Sequence, residues 1–194
     1  MTEPSRRTRG VQHGPRSRQV VEAVRAATLA ELARAGFTGV TMDGVARAAG
    51  VNRTTLYRRW PTKAALLADV VEPLLARYDA DPGTGSLRGD LLALMTAIRD
   101  NAARPEGRAL IAAATTGAPE LGELVRAANA RTLAPFHRAL ARAGERGELE
   151  GLGDAEVIAH LVFHGVVMWE QAHGAPPGDV DLDRILGALL PGRG

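Results

Sequence analysis

The 194-residue chain contains no cysteine, and Lys63 is its only lysine among 24 basic residues. The absence of thiols excludes disulfides, thiolate catalysis and cysteine-based metal centres. Aromatic residues are scarce, at 4% of the chain. A ligand site here is therefore expected to suit an apolar or mixed organic molecule better than a large planar stack. No uninterrupted apolar run approaches the roughly 20 residues that span a bilayer. The N-terminal arginines are not followed by the apolar core of a signal peptide. A cytoplasmic protein with no membrane partner is the expectation. Apolar residues make up 45% of the chain, which excludes a disordered or membranous class and leaves enough material for a sizeable core in one or two domains.

What charge there is lies unevenly. The formal net charge is only +2, yet residues 1–63 hold 12 basic and 4 acidic side chains, and 64–194 hold 12 basic and 18 acidic ones. This asymmetry is the footprint expected of a head that meets a polyanion and a body that does not.

Residues 1–15 are polar, carry Arg6, Arg7 and Arg9, and show no apolar period, so they read as a flexible basic arm. From about Arg16 to Ala35, Val21, Val24, Thr28 and Leu32 recur at helical spacing, and Gly36 supplies a stop. Thr41 reads as the N-cap of a short helix, and Asn52 caps another over Arg53 to Arg59. A longer helix starts at Pro61-Thr62, and Pro73 inside it should kink it or end its regular hydrogen bonding. Further helical patterns follow at about 87–103, 105–115, 119–143, 154–173 and 181–190. Ser86, Asp154 and Asp181 read as caps, and Pro105 and Pro119 as first-turn residues. No strand-length run of period two occurs. The expected fold is all-α with about nine helices: an arm over 1–15, a three-helix head over 16–61 and a helical body over 62–194.

The segment from Thr41 to Trp60 is the most informative. Two short helices joined by a tight glycine-containing turn make a helix-turn-helix unit, whose second helix enters the DNA major groove. Ala46 and Ala49 are small where the helices cross. Val45, Val51 and Leu56 can fill the small core between them, and Gly50 permits a left-handed turn. The run resembles the signature of the TetR (tetracycline-repressor) family: Thr41, Val45-Ala46, Ala49-Gly50-Val51-Asn52, Thr55-Leu56-Tyr57 and Lys63 occupy the matching places. Two positions depart from the commonest pattern, Arg59 in place of His and Trp60 in place of Phe. The resemblance implies phosphate contacts by Thr41, Tyr57, Arg59 and Lys63, which set register without reading bases. Arg53, Thr54 and Arg58 lie on or near the exposed face of the recognition helix, where Arg suits a guanine edge and Thr a thymine methyl, and Thr55 is a further candidate for DNA contact. The arm arginines suit the neighbouring minor groove, whereas Arg47 reads as a solvated residue.

The pattern at 154–173 is apolar nearly all round, so it needs cover on more than one side. One side would pack on its own domain and another on a twin subunit, as the resemblance implies for the last two helices of this family. Leu182, Ile185, Leu186, Leu189 and Leu190 form an apolar stripe on the final helix. For a ligand pocket the candidates are Leu91, Met95, Ile98, Leu110, Phe136, His137, Phe163, His164, Met168 and Trp169. His160 and His164 have the four-residue spacing of two metal ligands, but no third ligand is fixed, and neither a metal nor a cofactor is expected. The resemblance implies a homodimer on a double-stranded, near-palindromic operator, released by a small-molecule effector, with repression favoured over activation. An architectural DNA-binding protein without effector is the alternative. An enzyme is not expected, because no nucleophile motif, phosphate loop or dinucleotide fingerprint is present.

Overall fold

The computed structural model describes residues 15–79 and 81–190. The arm over 1–15 therefore lies outside the described residues, except that Pro15 opens the first helix. Among the described residues the chain is entirely helical, with ten α-helices and two short 3-10 turns. No helix among them is long and apolar enough to cross a membrane.

Helix α1 (Pro15–Gly39) is interrupted at Gly36, whose φ of 64° ends its regular portion. Helix α2 (Met42–Ala48) starts at Thr41, whose hydroxyl accepts from Gly44 N–H, and α3 (Arg53–Arg59) starts at Asn52, whose side chain accepts from Thr54 N–H. Between them Gly50 takes φ 65°, a left-handed conformation that costs glycine least. Helix α4 (Lys63–Leu75) is capped by Thr62. It gives way to a 3-10 turn over Ala76–Asp79 within three residues of Pro73, whose missing N–H removes one helical bond.

The body comprises α5 (Leu87–Ala102), α6 (Pro105–Thr115), α7 (Gly122–Glu145), α8 (Ala155–Val167), α9 (Trp169–His173) and α10 (Asp179–Leu189). Nine helices were expected; the tenth arises because the pattern at 154–173 breaks at Met168 into α8 and α9. Asp181 is not the cap of α10. Gly178 holds that place, and Asp181, three residues on, accepts from its N–H. Ser86 and Asp154 do cap α5 and α8.

Two buried clusters organise the chain. Val24, Val45, Ala46, Leu56 and Trp60 form the smaller one with Leu66 and Val70 of α4. Leu67, Val71 and Leu75, on the next face of α4, belong instead to the large cluster of α5, α7, α8 and α10. Helix α4 thus sits in both cores, because residues three and four apart share a face. Leu182 and Leu186 are fully buried in this larger core. Of the stripe on the final helix, Leu182 and Leu186 thus belong to the chain's own body, while Ile185, Leu189 and Leu190 are half-buried.

A buried carboxylate anchors the loop before α5. Asp90 accepts from Thr84 N–H (2.7 Å), the Thr84 hydroxyl (2.8 Å) and Arg142 Nη2 (3.1 Å). Burial opposes its charge, but these three donors outweigh burial and hold its pKa below the usual carboxylate value.

Candidate functional site

The head presents α3 as its outer helix. Leu56 and Trp60 turn inward and are buried, which leaves Arg53, Thr54, Tyr57, Arg58 and Arg59 exposed and Thr55 half-buried. Arg53 Nε lies 2.9 Å from Asp43 of α2, and its guanidinium stands 5.4 Å from the Tyr57 ring centre. These contacts hold Arg53 and Tyr57 as a pair on one face. Arg58 has no ion pair among the described residues.

The flanking residues are more engaged. Arg59 Nη1 donates to the Ser17 hydroxyl at 3.1 Å, tying the end of α3 to the start of α1, and stacks over Trp60 at 5.5 Å. Lys63 Nζ donates to the carbonyls of Phe37 (2.9 Å) and Val40 (3.2 Å) and sits 4.0 Å over the Phe37 ring. Two of its three donors are therefore used to close the end of α1, and one is left over. Thr41 is exposed, and its hydroxyl oxygen already caps α2. Seven of the eight residues singled out for DNA thus gather around α3 and the start of α4, with Thr41 beside them at the start of α2.

In the body, a cavity of about 150 Å³ opens between α4, α5, α6, α7 and α8. Leu74 and Tyr78 come from α4 and the turn after it, and Ile98 and Ala102 from α5. Helix α7 contributes Val125, Asn129 and Thr132 from one face, and α8 contributes Phe163, His164 and Val167. Of the residues expected at a pocket, Ile98, Leu110, Phe163, His164 and Met168 line it. The others lie elsewhere. Leu91, Met95 and Phe136 are fully buried in the large core. His137 is exposed on α7, and Trp169 stacks on His173 at 4.0 Å. Burial pushes the Tyr78 phenol up, against the opposing effect of its hydrogen bond with Asn101. It is therefore a neutral hydroxyl at physiological pH.

Two family models match the chain. "Bacterial regulatory proteins, tetR family" covers residues 24–70, and "Tetracyclin repressor-like, C-terminal domain" covers 81–189. The chain belongs to the TetR family. It is a DNA-binding transcriptional regulator, as its relatives are. It is 35% identical over 173 residues to the HTH-type transcriptional regulator AqdR of Rhodococcus erythropolis, across 86% of this chain and 80% of that one. It is 31% identical over 172 residues to the DNA-binding transcriptional repressor TetR of Mycobacteroides abscessus, across 87% and 90%. The fold is also that of FadR from Bacillus subtilis, solved with stearoyl-CoA: TM-score 0.72 at 16% identity, across 89% of this chain and 99% of that one.

Within this TetR-family body, α8 keeps an apolar stripe in the open. Val157 is 53% exposed, Leu161 51% and Met168 41%; they recur at helical spacing on the side away from the large core. The cavity residues that sequence reasoning missed include Tyr78, Asn129, Thr132 and most of the α6 wall. Only one of them carried a local signal: Gly107, where an added Cβ would lie 2.0 Å from the Asn101 carbonyl oxygen. A glycine inside a helical pattern often marks such close backbone approach.

Proposed function

We propose that this TetR-family regulator acts as a homodimer whose two heads bind a near-palindromic operator and repress transcription until a small molecule fills the body cavity. The observation that carries this reading is the outward face of α3, where Arg53, Thr54, Tyr57 and Arg58 are exposed together above a buried Leu56 and Trp60. Arg53 and Arg58 read base edges, with Thr54 and Thr55 beside them; Thr41, Tyr57, Arg59 and the remaining donor of Lys63 hold phosphates. The exposed Val157, Leu161 and Met168 stripe of α8 is the centre of the dimer contact. Such a dimer spaces its heads by about one DNA turn, roughly 34–36 Å.

The release mechanism is a population shift. Helix α4 lends Leu74 to the cavity wall and Leu66 and Val70 to the head core, so a ligand that moves one end moves the other. Arg131 of α7 reinforces this link: it pairs with Glu72 (2.8 Å) and Asp79 (2.7 Å) on either side of Pro73. Those carboxylates hold the guanidinium above its ordinary pKa. An inducer must favour one of the two conformations by about 1.4 kcal/mol for each tenfold loss of DNA affinity.

The head assignments are tested by Tyr57→Ala and Arg58→Ala in a chain that still folds and dimerises. Each is expected to weaken operator binding, and Arg58→Ala should also relax preference at one base position, by about 1–3 kcal/mol. Unchanged affinity and preference would remove these residues from the interface.

A further inference from the structure

We propose that the effector is a compact, uncharged, largely apolar molecule, one or two rings in size, whose polar end both donates and accepts a hydrogen bond and is read by Asn129. The inference rests on the cavity being the sensing site. Size comes first. A cavity of about 150 Å³ is of the order that takes a benzene-sized molecule in a protein interior, and the partly open mouth leaves room for a short extension.

Charge decides the class. Among the described residues, no Asp, Glu, Lys or Arg lines the cavity. An anion or cation entering it would give up its hydration with no opposite charge to meet, which is a heavy cost. A neighbouring groove shares Ala102, Ile111, Thr115 and Val167 with the cavity and does carry Arg99 and Arg108. It would suit the head of an anionic amphiphile only if those charges were free. Arg99 is already paired with Asp100 (3.0 Å) and Asp179 (2.5 Å), Arg108 donates to the Ala103 carbonyl, and Glu170 adds a negative charge to the same groove.

The polar end follows from which groups are already occupied. Thr132 uses its hydroxyl proton on the Ala128 carbonyl (2.9 Å), and the Tyr78 phenol is buried beside Asn101. His164 Nδ1–H donates to the His160 carbonyl (2.9 Å), since a carbonyl can only accept, and this leaves only Nε2 at the rim. The half-buried Asn129 amide has no hydrogen-bond partner among the described residues. It lies on the same face of α7 as Thr132 and offers one acceptor and two donors. A neutral amide, lactam or phenol answers both kinds of group; a hydrocarbon answers neither, and a carboxylate can only accept and brings a charge the cavity does not meet.

The test compares 4-ethylbenzamide, 4-ethylbenzoate, ethylbenzene and octanoyl-CoA on the full chain at neutral pH. Calorimetry reads binding, and fluorescence anisotropy of a labelled operator reads DNA release. The amide should bind about tenfold or more tightly than the carboxylate. Asn129→Leu should erase its margin over ethylbenzene while leaving ethylbenzene binding unchanged. Equal or tighter binding of the carboxylate or the thioester, no binding of the amide at millimolar concentration, or an amide margin that survives Asn129→Leu would each overturn the proposal. Release of DNA by the thioester alone would overturn the ligand class while leaving sensing intact. Amide binding with the expected margin but no DNA release would uphold the class and sink the cavity as the regulatory site.

Discussion

Arg25 on α1 donates through Nη2 to the main-chain carbonyl of Asp69 at 3.0 Å, the same carbonyl that Pro73 leaves without its helical donor four residues later. The guanidinium also faces the Asp69 carboxylate, with Nε 3.4 Å from Oδ2. A side chain of the head thus repairs the break in α4, and the repair lies on a helix that enters both buried clusters. The proline is tolerated because the orphaned acceptor has been given a partner.

A double-mutant cycle tests that relationship. Arg25→Met should cost about 1–2 kcal/mol of stability by leaving the carbonyl unsatisfied. With Pro73→Ala, residue 73 regains an N–H that can bond to Asp69, so Arg25→Met should then cost less than half as much. Chemical denaturation of the four proteins gives the coupling. An equal cost in both backgrounds would mean that the two residues act independently.

Gly107 sets two ordinary rules against each other. It lies inside α6, where alanine is normally favoured over glycine by about 1 kcal/mol. Yet a Cβ there would come within 2.0 Å of the Asn101 carbonyl oxygen and 3.0 Å of Ala102 Cα. Because both obstacles are backbone, Gly107→Ala is expected to destabilise by about 1–3 kcal/mol. Since Gly107 also lines the cavity, the substitution should lower ligand affinity as well. A melting temperature raised by the alanine would show that the α5–α6 junction yields easily.

Asp90 predicts a pH dependence of defined sign. Its folded pKa is held below the ordinary aspartate value of 3.8. The stabilisation it provides is therefore fully present above about pH 4 and is lost as the pH falls through the lower folded value. Asp90→Asn should be less stable than the natural chain by about 1–3 kcal/mol near neutrality. The gap should narrow on acidification below pH 4. Denaturation midpoints of both proteins between pH 7 and pH 3 measure it, and a constant gap would mean that the charge is not its source.

Helix starts were legible because a single side chain decides them: Thr41, Asn52, Ser86 and Asp154 each sit one residue before the helix and accept from its first turn. Asp181 deceived because a carboxylate at the third helical position can reach back to a glycine cap just as it can serve as the cap itself. The outward face of α3 was legible from the helix-turn-helix motif and the family resemblance. What the pattern did not reveal was how far neighbours would draw on these side chains: Lys63 is bonded to two carbonyls of α1, and Arg53 is held by Asp43. The cavity was the least legible part. Its wall is shared among five helices, so the difference between Phe163, which lines it, and Phe136, which is buried at 0% exposure in the core, depends on packing that no local spacing encodes.

The central claim, that two α3 helices read a defined operator, is tested most directly by selecting bound duplexes from a random DNA pool and measuring their affinity at two salt concentrations. The account predicts a near-palindromic site with half-sites about one helical turn apart. That site should be bound far more tightly than scrambled DNA at both salt concentrations. Weak binding, uniform across sequences and lost entirely as salt rises, would contradict it, leaving only the basic charge of the head to explain the affinity.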